Sequence, residues 1–217
     1  MVFEGVEGAG KSTQLRRLEA RLSRAGVPCQ SFREPGGTAA GDRIRHALLD
    51  PAVSLDPRTE ALLFMASRAE LVATAVSPAL VVGTAVLLDR FFLSTYAYQV
   101  AGRGLPEEDI VAANRAATGG LVPDLTLLLS LPSAVGLARA HSRGPSDRME
   151  QSGPEFHARV ERAFALFATP DWQAGHPEAG PIVVVSAAGT ADDVEERVAA
   201  VIAERVPEYA HRLEQVA

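Results

Sequence analysis

Gly5-Val6-Glu7-Gly8-Ala9-Gly10-Lys11-Ser12 fits the pattern G-x-x-x-x-G-K-[ST]. The glycines of such a loop let the backbone curl until its N–H groups converge on phosphate oxygens. At average residue usage the pattern arises by chance in on the order of 1% of chains this long. Here it also falls in the context that the chemistry needs. The apolar stretch Met1 to Glu4 reads as a buried strand before it. After Thr13 a helix follows, with Leu15, Leu18 and Leu22 on one face and Arg16, Glu19 and Arg21 elsewhere. That helix points the positive end of its dipole at the loop. Lys11 then reaches the β and γ phosphates of a bound nucleoside triphosphate, and the Ser12 hydroxyl is placed to hold Mg²⁺.

Lys11 is the only lysine; every other basic residue is arginine. A single retained ammonium marks a position that a planar guanidinium does not serve, and the phosphate loop is such a position. The same count excludes two classes. A guanine-specific switch needs an Asn-Lys-x-Asp base reader, and a protein kinase needs a lysine on a separate strand. No second lysine exists for either.

Outward from the loop, the pattern alternates apolar runs with amphipathic ones. Gly26 closes the first helix and Pro28 follows it. Cys29 to Arg33 reads as a second strand. Asp56-Pro57 starts a helix with Asp as N-cap and Pro in the first turn, carrying Leu62, Leu63, Ala66 and Leu71 toward a core and running to about Ser77. Leu80 to Leu88 reads as a third strand ending at Asp89-Arg90. Thr95 to Val100 is helical, and another helix starts near Glu107. Leu125 to Leu131 is a fourth strand, with a helix from Ser133. Phe156, Val160 and Phe164 give a helix, Ile182 to Val185 a fifth strand, and Thr190 caps a last helix with Val194, Val198 and Val201. Wholly apolar strands alternating with helices imply an α/β fold: a five-stranded parallel sheet covered on both faces. Ligands in such folds bind at the carboxyl ends of the strands.

With 217 residues, 47% hydrophobic and 22% charged, the chain reads as one domain over 1–217. A net charge of −6 argues against a nucleic-acid or membrane-surface binder. The longest apolar run, Ala79 to Leu88, is too short to span a bilayer. Cys29, the single cysteine, allows neither an internal disulfide nor a cysteine metal cluster, and fits a cytoplasmic protein.

Read together, Gly5 to Thr13, Arg33-Glu34-Pro35-Gly36-Gly37-Thr38, Asp89-Arg90 with Ser94-Thr95, and Asp147-Arg148 with Gln151 resemble the bacterial thymidylate kinases, over essentially the whole chain. The resemblance implies a P-loop NTPase fold with a mobile lid at about 139–153. It implies transfer of a phosphoryl group from ATP to dTMP with Mg²⁺, and a homodimer. Gly5, Val6, Glu7, Gly8, Ala9, Gly10, Lys11, Ser12 and Thr13 take the ATP phosphates. Arg90 grips the acceptor phosphate, a task suited to a permanently charged fork, with Arg33 facing the same group. Asp89 acts near Mg²⁺ beside Ser12. Phe64 and Arg68 share a helix face; the first stacks on thymine and the second reads its O4. Thr95, Tyr98 and Gln99 meet the base edge and sugar, Tyr98 favouring deoxyribose. Glu7 anchors the 3′-hydroxyl; an ion pair to Arg33 or Arg90 is the plainer role, and the two can coexist.

The family supplies a catalytic arginine either from the phosphate loop or from the lid. Loop positions Val6, Glu7, Gly8 and Ala9 contain none, so the chain resembles the lid type, with Arg143 and Arg148 as unranked candidates. Guanidinium groups there stabilise charge spreading onto the transferred phosphoryl. Arg139 belongs to the preceding helix, and the loop after Val185 is the candidate adenine edge. The rival readings are a deoxynucleoside kinase, another monophosphate kinase, and a non-catalytic nucleotide-binding switch.

Overall fold

The computed structural model describes residues 1–142 and 146–209. Five strands form one sheet: β1 (Val2–Glu4), β2 (Cys29–Arg33), β3 (Ala85–Asp89), β4 (Thr126–Ser130) and β5 (Ile182–Ser186). Their order is β2-β3-β1-β4-β5, and every neighbouring pair is parallel. Phe3, Leu87, Leu127 and Leu129 are fully buried, as expected for central strands covered on both faces.

Register brings the future site together. Arg33 pairs with Asp89 across β2 and β3, and Asp89 pairs with Phe3 across β3 and β1. The carboxyl ends of three strands therefore stand side by side where the chain, after passing from β1 to β2 and back to β3 on one side of the sheet, crosses over β1 to β4 on the other. Crevices in open α/β sheets form at such a switch point.

Helix α1 (Lys11–Arg24) follows the phosphate loop and buries Leu15, Leu18 and Leu22. It ends as the sequence predicts, with Gly26 at φ 68° and the Val27 N–H donating to Leu22 O. Helix α2 (Ala39–Leu49), capped by the Thr38 hydroxyl, was not expected from the sequence. Helix α3 (Pro57–Leu71) starts at Asp56, whose side chain accepts from Arg58 N.

Here the structure corrects one boundary. The sequence places the end of α3 near Ser77 and a strand from Leu80. Instead the helical path continues through widened turns at Val72–Val76 and α4 (Ser77–Val81), and β3 begins only at Ala85. Gly83, at φ 75°, stops the helix; its N–H and that of Thr84 donate back to Leu80 O and Ala79 O. The run Ala79 to Leu88 is apolar but for Gly83 and Thr84, and such a run does not itself distinguish helix from strand. The widening precedes Pro78, which lacks the N–H of a regular turn.

Pro57–Val81 is long and apolar enough to cross a membrane, with a mean hydropathy of 1.2. Its Ala61, Met65, Leu71, Val72, Val76 and Ala79 are instead packed inside the protein, along with charged Glu60 and Arg68. It is a core helix.

Beyond β3 come α5 (Phe92–Thr95), widened turns over Tyr96–Gly102, and α6 (Glu107–Thr118). Then follow α7 (Ser133–His141), α8 (Pro154–Phe167), α9 (Pro170–Gly175) and α10 (Ala191–Arg205). The last carries the capping box of Thr190 and Asp193.

Candidate active site

The phosphate loop leaves β1 at Gly5 and enters α1 at Lys11. At Gly8 the chain has φ 68°, and a Cβ there would lie 1.9 Å from Gly136 O of α7. Reciprocally, a Cβ on Gly136 would lie 2.0 Å from Glu7 O. The two backbones touch, and only glycine on both sides permits it. Lys11 Nζ donates to Gly5 O and Val6 O at 3.0 and 2.8 Å, spanning the loop. Burial lowers its pKa to about 8; Arg90 adds to this and Glu7 opposes it. Ser12 Oγ donates to Asp89 Oδ2, so a hydroxyl and a carboxylate meet at the loop's rim. These hard oxygen donors, completed by phosphate oxygens, suit Mg²⁺. Among the described residues, no group of three or more His, Cys, Asp or Glu side chains forms a metal site by itself.

Arg90 follows Asp89 with φ 75°, a left-handed conformation uncommon outside glycine. That turn sends its side chain back over the loop. Nη1 donates to Ser94 Oγ at 2.8 Å and Gly5 O at 3.2 Å, and Nη2 to Glu7 Oε1 at 2.7 Å. The guanidinium also lies over the Tyr98 ring, 5.1 Å from its centroid. Tyr98 OH donates to Glu7 at 3.1 Å. Burial alone would raise the Glu7 carboxyl, but Arg90 and Lys11 outweigh it and hold it at about 2. Glu7 thus makes the ion pair with Arg90 that the sequence left open; Arg33 instead lies 3.7 Å from Asp42. Glu4, fully buried at the end of β1, fixes the next helix: it accepts from the N–H groups of Phe91 and Ser94 and from Ser94 Oγ. The sequence offered one signal for it, a carboxylate closing a buried strand.

Arg68 sits deeper. Its side chain is 2% exposed. Nε donates to Glu34 at 2.7 Å, Nη1 to Thr95 Oγ1 at 2.9 Å and to Asn114, and Nη2 to Phe91 O at 2.9 Å. Nη2 also lies 2.6 Å from Glu34. A guanidinium has five N–H donors, and these contacts engage the whole fork. Reading a base edge with Arg68 requires exchanging one of these partners. Burial raises the Glu34 carboxyl, against the pull of Arg68.

Two cavities meet here. One opens over the phosphate loop, lined by Lys11, Ser12, Asp89 and Arg33 among others. The other runs under Phe64, with Arg68, Thr95, Tyr98 and Gln99. Glu7, Glu34, Arg45, Arg90 and Asp147 line both. The structure therefore gathers the sequence-predicted residues from Gly5 to Thr13, with Arg33, Phe64, Arg68, Asp89, Arg90, Thr95, Tyr98 and Gln99. Arg45 was missed; it comes from α2 and donates to Pro35 O at 2.9 Å. A third cavity joins the loop's outer side to Arg139, Ala187, Gly189 and Thr190, after β5 as the sequence suggested for adenine.

Of the arginines in the segment that the sequence predicts as a lid, Arg139 is on α7 and Arg143 lies outside the described residues. Arg148 lines neither of the two joined cavities. Its Nη1 donates to Glu60 at 2.6 Å and its Nε to Leu48 O at 2.7 Å.

The family model described as Thymidylate kinase matches residues 3–176. Among curated relatives named thymidylate kinase, one from Deinococcus radiodurans is 46% identical over 205 residues, covering 94% of this chain and 96% of its own. One from a Synechococcus species (strain JA-2-3B'a(2-13)) is 46% identical over 209 residues, 95% of each chain. One from Pseudomonas fluorescens (strain Pf0-1) is 49% identical over 172 residues, 79% of this chain and 82% of its own. A phosphate loop facing an arginine-walled pocket across a parallel sheet, together with likeness of this extent, leaves one conclusion: the chain belongs to the thymidylate kinase family.

Proposed function

We propose that the Gly5–Thr13 loop takes MgATP, the cavity under Phe64 takes dTMP, and the γ-phosphoryl passes in line between them, giving dTDP and ADP. The observation that carries this reading is the junction of the two cavities at Arg90 and Arg45. A donor in one and an acceptor in the other face each other across guanidinium groups.

In this reading Arg90 leaves Glu7 in part to hold the acceptor phosphate bidentately, with Arg45 and Arg33 beside it. Phe64 offers its ring to thymine; Arg68, Thr95 and Gln99 line the base edge. Tyr98 and Glu7 stand at the sugar. Lys11 swings from the loop carbonyls to the β and γ phosphates. The attacking oxygen is already anionic at neutral pH, so no general base is required. Ser12 and Asp89 would hold Mg²⁺, which when bound neutralises charge on the β and γ phosphates. Arg143 is the lid arginine for the transferred phosphoryl; Arg148 is already engaged by Glu60 and Leu48 O. The reading keeps a cytoplasmic location, supported by the lone cysteine. It also keeps a homodimer, supported by exposed Leu62, Leu80 and Val81 along α3 and α4.

A coupled assay for ADP with MgATP tests it, adding dTMP, dUMP, dCMP, dGMP or thymidine in turn. Rapid turnover is expected with dTMP and weak turnover with dUMP. Turnover with thymidine in place of dTMP would overturn the role of Arg90.

A further inference from the structure

We propose that Glu60 is a positioning residue that ties the returning end of the lid to the wall of the acceptor pocket, with Arg148 as its lid-side partner. The inference rests on the dTMP kinase reading above and adds a part to it.

Glu60 lies in the first turns of α3, one turn before Phe64, and its side chain is 1% exposed. A buried carboxylate is costly unless its oxygens are hydrogen-bonded. Here each oxygen accepts twice. Oε1 accepts from Gln99 Nε2 at 2.9 Å and Arg103 Nε at 3.0 Å. Oε2 accepts from Arg103 Nη2 at 3.0 Å and Arg148 Nη1 at 2.6 Å. One carboxylate thus joins three elements: the pocket-forming helix α3, the widened turns that carry Gln99, and the segment that returns from the lid.

Arg148 extends the tie. Its Nε donates to Leu48 O and its own N–H to Leu49 O at the end of α2. Its neighbours face the other way: Asp147 and Met149 line the acceptor cavity, and Asp147 and Glu150 line the phosphate cavity. Residue 148 faces away from the reacting centre so that 147, 149 and 150 face toward it. Arg103 also packs its guanidinium over Phe156, 4.5 Å from the ring centroid, bracing the helix that follows. The hydrogen bonds hold Glu60 ionised against its burial.

The anchor predicts a defect that spans both ligands. Glu60→Gln places a donor among donors and should release residues 147–150. Turnover should fall by about 10²-fold, the scale of a misplacement near 1 Å, with a rise in KM for dTMP through Gln99. ADP released without dTDP should increase relative to transfer, because a lid held at one end no longer excludes water. Arg148→Ala should give the same leak with less change in KM, and Arg148→Lys should recover part of the rate. The double variant should be no worse than the worse single, since either change breaks the same tie. Amide hydrogen exchange gives a readout independent of activity: residues 146–152 should lose protection in Glu60→Gln. Loss of turnover in Arg148→Ala with normal turnover in Glu60→Gln would overturn the proposal and place Arg148 on the phosphoryl itself. So would variants that only melt lower while kcat, leak and exchange in the lid stay unchanged. A wild-type enzyme without dTMP-dependent turnover would sink the functional reading, while the exchange result would still decide the anchor.

Discussion

Glu7 Oε1 and Arg90 Nη2 stand 2.7 Å apart across the mouth of the phosphate loop, so the arginine proposed to take the acceptor phosphate is already held by an acid. This pair has a thermodynamic signature. The Glu7 carboxyl is lowered from 4.5 to about 2. A lowered carboxyl stabilises the fold above its unfolded pKa, and that contribution is lost as pH falls through the folded pKa. Urea unfolding of the wild type and Glu7→Gln should therefore differ by on the order of 3 kcal/mol near neutrality. The difference should shrink between about pH 5 and pH 2. A constant difference across that range would refute the assignment of the charge to Glu7.

Lys11 carries a different pH dependence. Burial holds its ammonium near pKa 8, and an arriving triphosphate must raise it. Nucleotide binding at pH 8 should then take up protons, seen in calorimetry as a binding heat that varies with the ionisation enthalpy of the buffer. Uptake should vanish below about pH 6.5, where the ammonium is already formed, and should be absent in Lys11→Met. That variant should fold at least as stably, having lost a buried charge, and should lose turnover by at least about 10²-fold.

For Phe64 the prediction concerns the base. Phe64→Ala removes a stacking surface worth about 1–3 kcal/mol per base, so KM for dTMP should rise by roughly 5- to 150-fold while kcat falls much less. Equal losses in both would move Phe64 out of the thymine site.

Arg68 belongs as much to the core as to the pocket. Arg68→Met strips Glu34, Thr95, Asn114 and Phe91 O of their partner and should cost about 3–5 kcal/mol, as for other broken buried pairs. Adding Glu34→Gln should recover part of that loss. Chemical denaturation of the single and double variants decides it; a loss under about 1 kcal/mol would mean that Arg68 is not a structural centre.

Most of the candidate site is legible in the sequence because it is carried by contiguous residues at strand ends. Gly5 to Ser12 announces its own backbone shape, and Asp89-Arg90 falls where a parallel sheet places its ligands. What stayed hidden depends on residues meeting across long stretches of chain. Helix α2 has only Ile44, Leu48 and Leu49 as large apolar residues, beside Gly41, Asp42, Arg43, Arg45 and His46, too weak a stripe to mark a helix face or to single out Arg45. Glu60 looks like an ordinary first-turn acid until Arg148 arrives from 88 residues away. The sequence pattern starts the third strand too early because Leu80, Val81 and Val82 are as apolar as the strand itself, although they are exposed.

The contact between Gly8 and Gly136 sets a rule for motion. Helix α7 ends at His141, within the proposed lid, and its backbone is seated against the phosphate loop with no side chain between them to yield. Any rocking of that helix is passed on to the cradle, in the way one rigid link drives the next. In the proposed reaction, loading of the triphosphate and movement of the lid would therefore be coupled, and a side chain added at either glycine should disturb both at once.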